Sequence, residues 1–180
     1  MAVGAFTVVT NEAVRFITNE DCMIQLLHYN VWANERLASN ILSVKSDSVF
    51  DVAIAPFEHV LEALRHITGA EIAWRMRIEG QSPRSVMALT NGRTGPELLD
   101  TLQDASRRLL EIAQNIPDLS SHRITYSTTT GVQYDHPASD ILLHVVNHST
   151  YHRGQIMSAL RTVTTGPLLP LDYIAYVRIV

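Results

Sequence analysis

His144-Val-Val-Asn-His148-Ser-Thr-Tyr-His152-Arg-Gly-Gln-Ile156 is the stretch on which the reading of this chain turns. Its setting is helical: Ile141, Leu142, Val145, Ile156, Met157 and Leu160 keep an apolar stripe, and Pro137 stands where a helix can begin. Three histidines fall at i, i+4 and i+8. Each step turns the position by only about 40° on a helix of ~3.6 residues per turn, so His148 and His152 can aim their rings at one point. Two imidazoles a turn apart on a rigid helix are a metal-ligand geometry, because neutral imidazole is the commonest protein ligand for zinc and similar divalent ions. The same spacing also arises by accident on a polar helix face, so a metal site needs a ligand from elsewhere.

Apolar periodicity marks three earlier helices. The first runs near residues 21–44 on Ile24, Leu27, Tyr29, Val31, Trp32, Leu37 and Ile41, with Asn19 or Asp21 as its cap. The second runs near 52–79, with Pro56 in its first turns, Phe57, Val60, Leu61, Leu64 and Ile67 on its buried face, and Gly80 at its end. Thr94-Gly-Pro-Glu97 opens the third, near 96–116, and the histidine helix spans about 138–163. Ile124 to Tyr134 is rich in β-branched and aromatic residues around Gly131, which predicts a short hairpin between helices 3 and 4. After the break at Thr164-Thr-Gly-Pro-Leu-Leu-Pro170, the tail from Leu171 reads as a short final helix or a docking strand. The expected architecture is an all-α four-helix bundle with that hairpin-like excursion: an arm over residues 1–20, then one domain over 21–180.

Composition narrows the function. At 180 residues, with 46% hydrophobic and 18% charged, the chain can build one core without disulfides. A net charge of −4 argues against a general phosphate-binding surface, so nucleic acid is not an expected partner. The single cysteine, Cys22, suits a reducing, cytoplasmic compartment and is expected to pack rather than react. No apolar run approaches ~20 residues, and the opening MAVGAFTVVTNEAVRF has no long apolar core behind a basic start, so neither a membrane span nor a secretory leader is expected.

The further ligand is sought on helix 2, where His66 lies among core positions, seven residues after His59 and four after Glu62. Bundle cores build metal sites from inward side chains on facing helices. His59 and His144 read as histidines hydrogen-bonded to neighbours, since three ligands and a water suffice for a catalytic site.

Three segments together carry a family resemblance. Leu26-Leu-His-Tyr-Asn-Val-Trp-Ala-Asn-Glu-Arg-Leu37, Leu64-Arg-His-Ile-Thr-Gly-Ala-Glu-Ile-Ala-Trp74 and Asn147-His-Ser-Thr-Tyr-His-Arg-Gly-Gln155 resemble, in order, the signatures of the DinB/YfiT-like family of metal-dependent enzymes, and Asp172-Tyr-Ile is similar to its C-terminal end. The resemblance implies a four-helix bundle, usually a homodimer, in which His66, His148 and His152 hold one divalent ion, zinc or, alternatively, nickel. It also implies a small-molecule substrate, with either thiol (S-) transfer using a low-molecular-weight thiol or hydrolysis as the reaction.

Three neutral histidines leave the charge of an ion uncompensated. In such a site zinc brings the pKa of its water to about 7, against about 9 in free solution, and a thiol ligand is deprotonated outright. Glu62, one turn before His66, is the candidate to orient that ring. Glu71 lies about 140° around the helix from His66 and is expected at solvent or a subunit contact. Arg153 and Gln155 are expected to tie helices together, with Gly154 permitting close approach; the family resemblance implies that His28, Tyr29 and Asn30 on helix 1 lie near the core, with no ligand role. Two readings follow: an enzyme with an open coordination position, or a non-catalytic bundle that the metal pins together for dimerisation or ligand sensing. A fourth protein ligand, such as His144 or Glu62, would favour the second.

Overall fold

The computed structural model describes residues 19–45 and 48–180; the arm expected ahead of the first helix lies, up to residue 18, outside the described residues. Among the described residues the chain is mostly helical, with one small sheet. In order the elements are α1 (Asn19–Ser43), α2 (Val60–Ile78), α3 (Gly95–Gln114), β1 (Arg123–Ser127), β2 (Gln133–Pro137), α4 (Ala138–Val163) and α5 (Tyr173–Val177). Short 3-10 turns occupy Val49–Asp51 and Met87–Thr90. The expected hairpin is present as the antiparallel pair β1 and β2, so the all-α description is qualified by two strands. The tail forms the short helix α5 rather than a strand.

Local chemistry sets the boundaries. Thr94 and Glu97 form a reciprocal capping box, with the Thr94 amide donating to Glu97 Oε2 at 2.8 Å and Pro96 in the first turn. At the end of α2, Gly80 takes a φ of +82°, and the Gln81 amide donates back to the Met76 carbonyl at 2.7 Å. The start of α2 differs from expectation by eight residues. Pro56 disfavours helical backbone at Ala55, and the segment folds back on itself: Ala53 bridges His59, and the Val60 amide donates to the Val52 carbonyl at 2.9 Å. Pro56 therefore lies in a loop, and the helix begins at Val60.

Two neighbours fix the start of α4. Its Ala138 and Ser139 amides donate to the carbonyls of His122 (2.8 Å) and Leu119 (2.9 Å), which satisfies helix-end donors without a side-chain cap. β2 runs into α4 with no residue between.

Helices α1 and α2 each pack on both α3 and α4. One apolar cluster gathers Leu37, Ile41, Leu64, Ile67, Leu98, Leu102, Ile156 and Leu160; another gathers Leu27, Ala33, Leu109, Ile141, Leu142 and Val145. Between their levels lies a buried polar layer of Asn30, Asn34, Glu71, Ser149 and Arg153. Two expectations fail here. Cys22 is exposed, and Gly154 faces open space rather than a neighbouring helix. No helix among the described residues is long and apolar enough to cross a membrane.

Candidate metal centre

Helices α2 and α4 bring His66, His148 and His152 together. One ring nitrogen of each lies within 4.8 Å of the other two, and among the described residues the cluster comprises these three side chains. His66 Nε2 and His148 Nε2 are 3.1 Å apart, so both rings aim the same atom into one space. The His66 and His152 rings meet edge to face at 4.6 Å, and those of His148 and His152 at 4.4 Å.

Gln155 orients the third imidazole. Its Oε1 accepts from His152 Nδ1–H at 2.7 Å, which puts the lone pair of His152 on Nε2. The Gln155 amide is itself held, with Nε2 donating to the Ala55 carbonyl at 3.3 Å. Gln155 thus serves the histidine cluster, where the sequence suggested only a helix tie. Phe57 packs its ring 5.2 Å from His66 and 5.4 Å from His152, covering one side of the cluster with an apolar face.

Burial and neighbouring rings lower the basicity of two of the imidazoles. Burial, and then the neighbouring imidazoles of His152, His66 and His144, hold His148 down to about 3. Burial and His152 lower His66 as well. His144 is lowered by burial and by the charge of Arg77; its ring lies 5.6 Å from that of His148 and outside the cluster.

The donor set fits a divalent ion. Tetrahedral zinc with bonds of ~2.0–2.1 Å needs nitrogens about 3.4 Å apart, so the three rings stand close to a binding arrangement. His148 Nδ1 is buried without a hydrogen-bond partner, so one side of this ring is left unsatisfied in the cluster as it stands.

Other predicted residues lie elsewhere. The Glu62 carboxylate faces His59 Nδ1 at 3.4 Å and Arg65 at 3.7 Å, not His66. His28 is exposed, while Tyr29 is buried and its hydroxyl donates to the Leu171 carbonyl at 2.9 Å. Glu71, expected at solvent or a subunit contact, is 1% exposed in the polar layer. Its Oε1 accepts from Asn30 (2.9 Å), Asn34 (3.0 Å) and Ser149 (2.7 Å), and burial pushes its carboxyl up. Angle alone misled, because the side of α2 turned away from the histidines faces the polar layer that α1 and α4 fill with Asn30, Asn34 and Ser149. Arg153 behaves as expected, tying α4 to α1 through Asn30 and Asn34.

Comparison with known proteins agrees with this arrangement. The family model of the DinB family matches residues 13–176, and the chain belongs to that family. It is similar to Protein DinB of Bacillus subtilis (strain 168), 26% identical over 163 residues, which cover 87% of this chain and 94% of the relative.

Proposed function

We propose that this chain is a divalent-metal-dependent enzyme of the DinB type, acting on a small substrate by thiol transfer or by hydrolysis. In this reading the long helices form a four-helix bundle, and His66, His148 and His152 bind one ion, zinc first and nickel as the alternative. The observation that carries it is a cluster of three histidines without a fourth His, Cys, Asp or Glu among the described residues. Structural zinc sites close with four protein ligands, whereas catalytic ones keep a position open. A bound ion supplies Lewis acidity there and favours the ionised form of a water or a low-molecular-weight thiol.

The chain's own residues supply the rest. Gln155 fixes the His152 tautomer, the low basicity of His148 and His66 keeps their lone pairs available, and Phe57 keeps water from one flank. Exposed apolar side chains on the tail, Ile174 at 55% and Val177 at 39%, support a homodimer as the working form. The free Cys22 suits a reducing cytoplasm.

Elemental analysis of purified protein should find one zinc or nickel per chain. Chelation should abolish turnover of small thiols with electrophilic acceptors, or of amide and ester substrates. Protein isolated without stoichiometric metal that takes none up on titration would remove the reading.

A further inference from the structure

His144 is the boundary between the three-histidine cluster and a second space. Past it, a cavity of about 270 Å³ is lined by Trp74, Tyr126, His136, Asp140, Ile141 and His144. Trp74 meets Tyr126 and His144 edge to face, each at 5.1 Å between ring centroids, with interplanar angles of 76° and 68°. On the other flank the Tyr126 hydroxyl is 3.3 Å from His136 Nδ1. The cavity is therefore walled by flat rings from α2, α4 and the hairpin. Along α4 it stands one turn, about 6 Å, from His148.

Arg77 backs two of those walls. Its guanidinium lies 4.4 Å from the Trp74 ring centroid and 5.4 Å from that of Tyr126. The residue is 7% exposed, its Nε is buried without a hydrogen-bond partner, and among the described residues no carboxylate pairs with it. A cation in this place pins both rings and opposes a second cation in front of them. Asp140 in the lining carries the opposite charge to Arg77, so the two offset each other's preference and leave neither an anion nor a cation favoured. What remains favoured is an uncharged planar ring, which extends the edge-to-face set that Trp74 already makes.

We propose that the substrate of the metal centre carries an uncharged aromatic ring, which this cavity holds while the reacting group passes His144 toward His66, His148 and His152. The proposal rests on the metal-centre reading and assigns Trp74 and Tyr126 as the specificity-determining residues.

The test separates the two. In zinc-loaded protein, calorimetry should give 4-phenylbutanohydroxamate at least ten-fold tighter binding than acetohydroxamate, and 4-cyclohexylbutanohydroxamate should lose most of that gain. Trp74→Ala and Tyr126→Ala should each erase the ring's contribution while leaving acetohydroxamate binding within two-fold. Tyr126 stands on the hairpin, so its variant decides if Trp74→Ala does not fold. In metal-free protein, benzyl alcohol should shift the Trp74 indole N–H resonance at concentrations where benzylamine and benzoate do not. A ring gain that survives both substitutions, or a stronger response to either charged probe, overturns the proposal. Failure to take up zinc, or zinc-loaded protein that ignores acetohydroxamate, overturns the metal reading instead; the resonance experiment still decides the cavity.

Discussion

Glu71 and Arg153 face each other across a buried polar layer without touching: Asn30 and Asn34 stand between them, each amide N–H donating to Glu71 and each amide oxygen accepting from Arg153. The charges are therefore coupled through two side chains of α1, and three helices meet at this layer. Glu71 lies five residues after His66, and Arg153 follows His152 directly, so the layer also fixes the relative placement of the two helices that carry the histidines.

Removing one charge should be costly. Arg153→Met strands the Glu71 carboxylate and two amide oxygens in the core, with an expected loss of about 3–5 kcal/mol, as for a broken buried pair. Adding Glu71→Gln should recover part of that loss, because the second substitution removes the stranded charge. Urea unfolding of the two single variants and the double variant checks this; strict additivity would mean that the residues are not coupled.

Loss of a ligand should separate metal binding from folding. His148→Ala and His152→Ala should each weaken zinc binding by about 100-fold or more while helical circular dichroism is unchanged. Full occupancy in both variants under chelator competition would move the site elsewhere.

Gln155 should affect the metal through its contact with His152. Gln155→Ala frees the Nδ1–H and lets the ring turn, so metal affinity should fall by about 10–100-fold, while Gln155→Glu, which keeps the acceptor, should retain binding. Equal behaviour of the two variants would argue against an orienting role.

Acid should destabilise the metal-free protein. His148 is held near 3 in the fold and titrates near ~6.5 when unfolded, so between those values the unfolded chain binds more protons. Stability is then complete above about 6.5 and declines as pH falls through the window, with His66 adding in the same direction. The melting temperature of chelator-treated protein should drop from pH 7 to pH 4.5, and His148→Ala should flatten the slope. Identical slopes in the two proteins would count against this.

Much of this was legible from periodicity and spacing. Three long helices, the hairpin and the pairing of His148 with His152 follow from apolar stripes and from a run of histidines four residues apart, while the choice of His66 as their companion rested on the family resemblance. The start of α2 was hidden because Phe57 and Val60 keep a helical rhythm across a loop that Pro56 and the contact between Ala53 and His59 close. Glu71 was misplaced because its position on α2 was judged against the histidines alone, whereas its partners are Asn30 and Asn34 on α1, about forty residues earlier in the chain, and Ser149 on α4. Gln155 carried a usable signal, standing three residues after His152, within reach of the same helical face. Trp74, Tyr126 and His136 lie on three separate elements, and only the packing of the hairpin on α2 brings them together.

The direct passage from β2 into α4 at Pro137 and Ala138 bears on how this gene can change length. One codon inserted at that junction turns every later position of α4 by about 100° relative to the strand, sweeping His148 and His152 away from α2. The hairpin tip, by contrast, reverses at Gly131 in exposed backbone, where added residues disturb neither the strand register nor the helix. Insertions among relatives should therefore collect around residues 129–131 and be missing at 137–138.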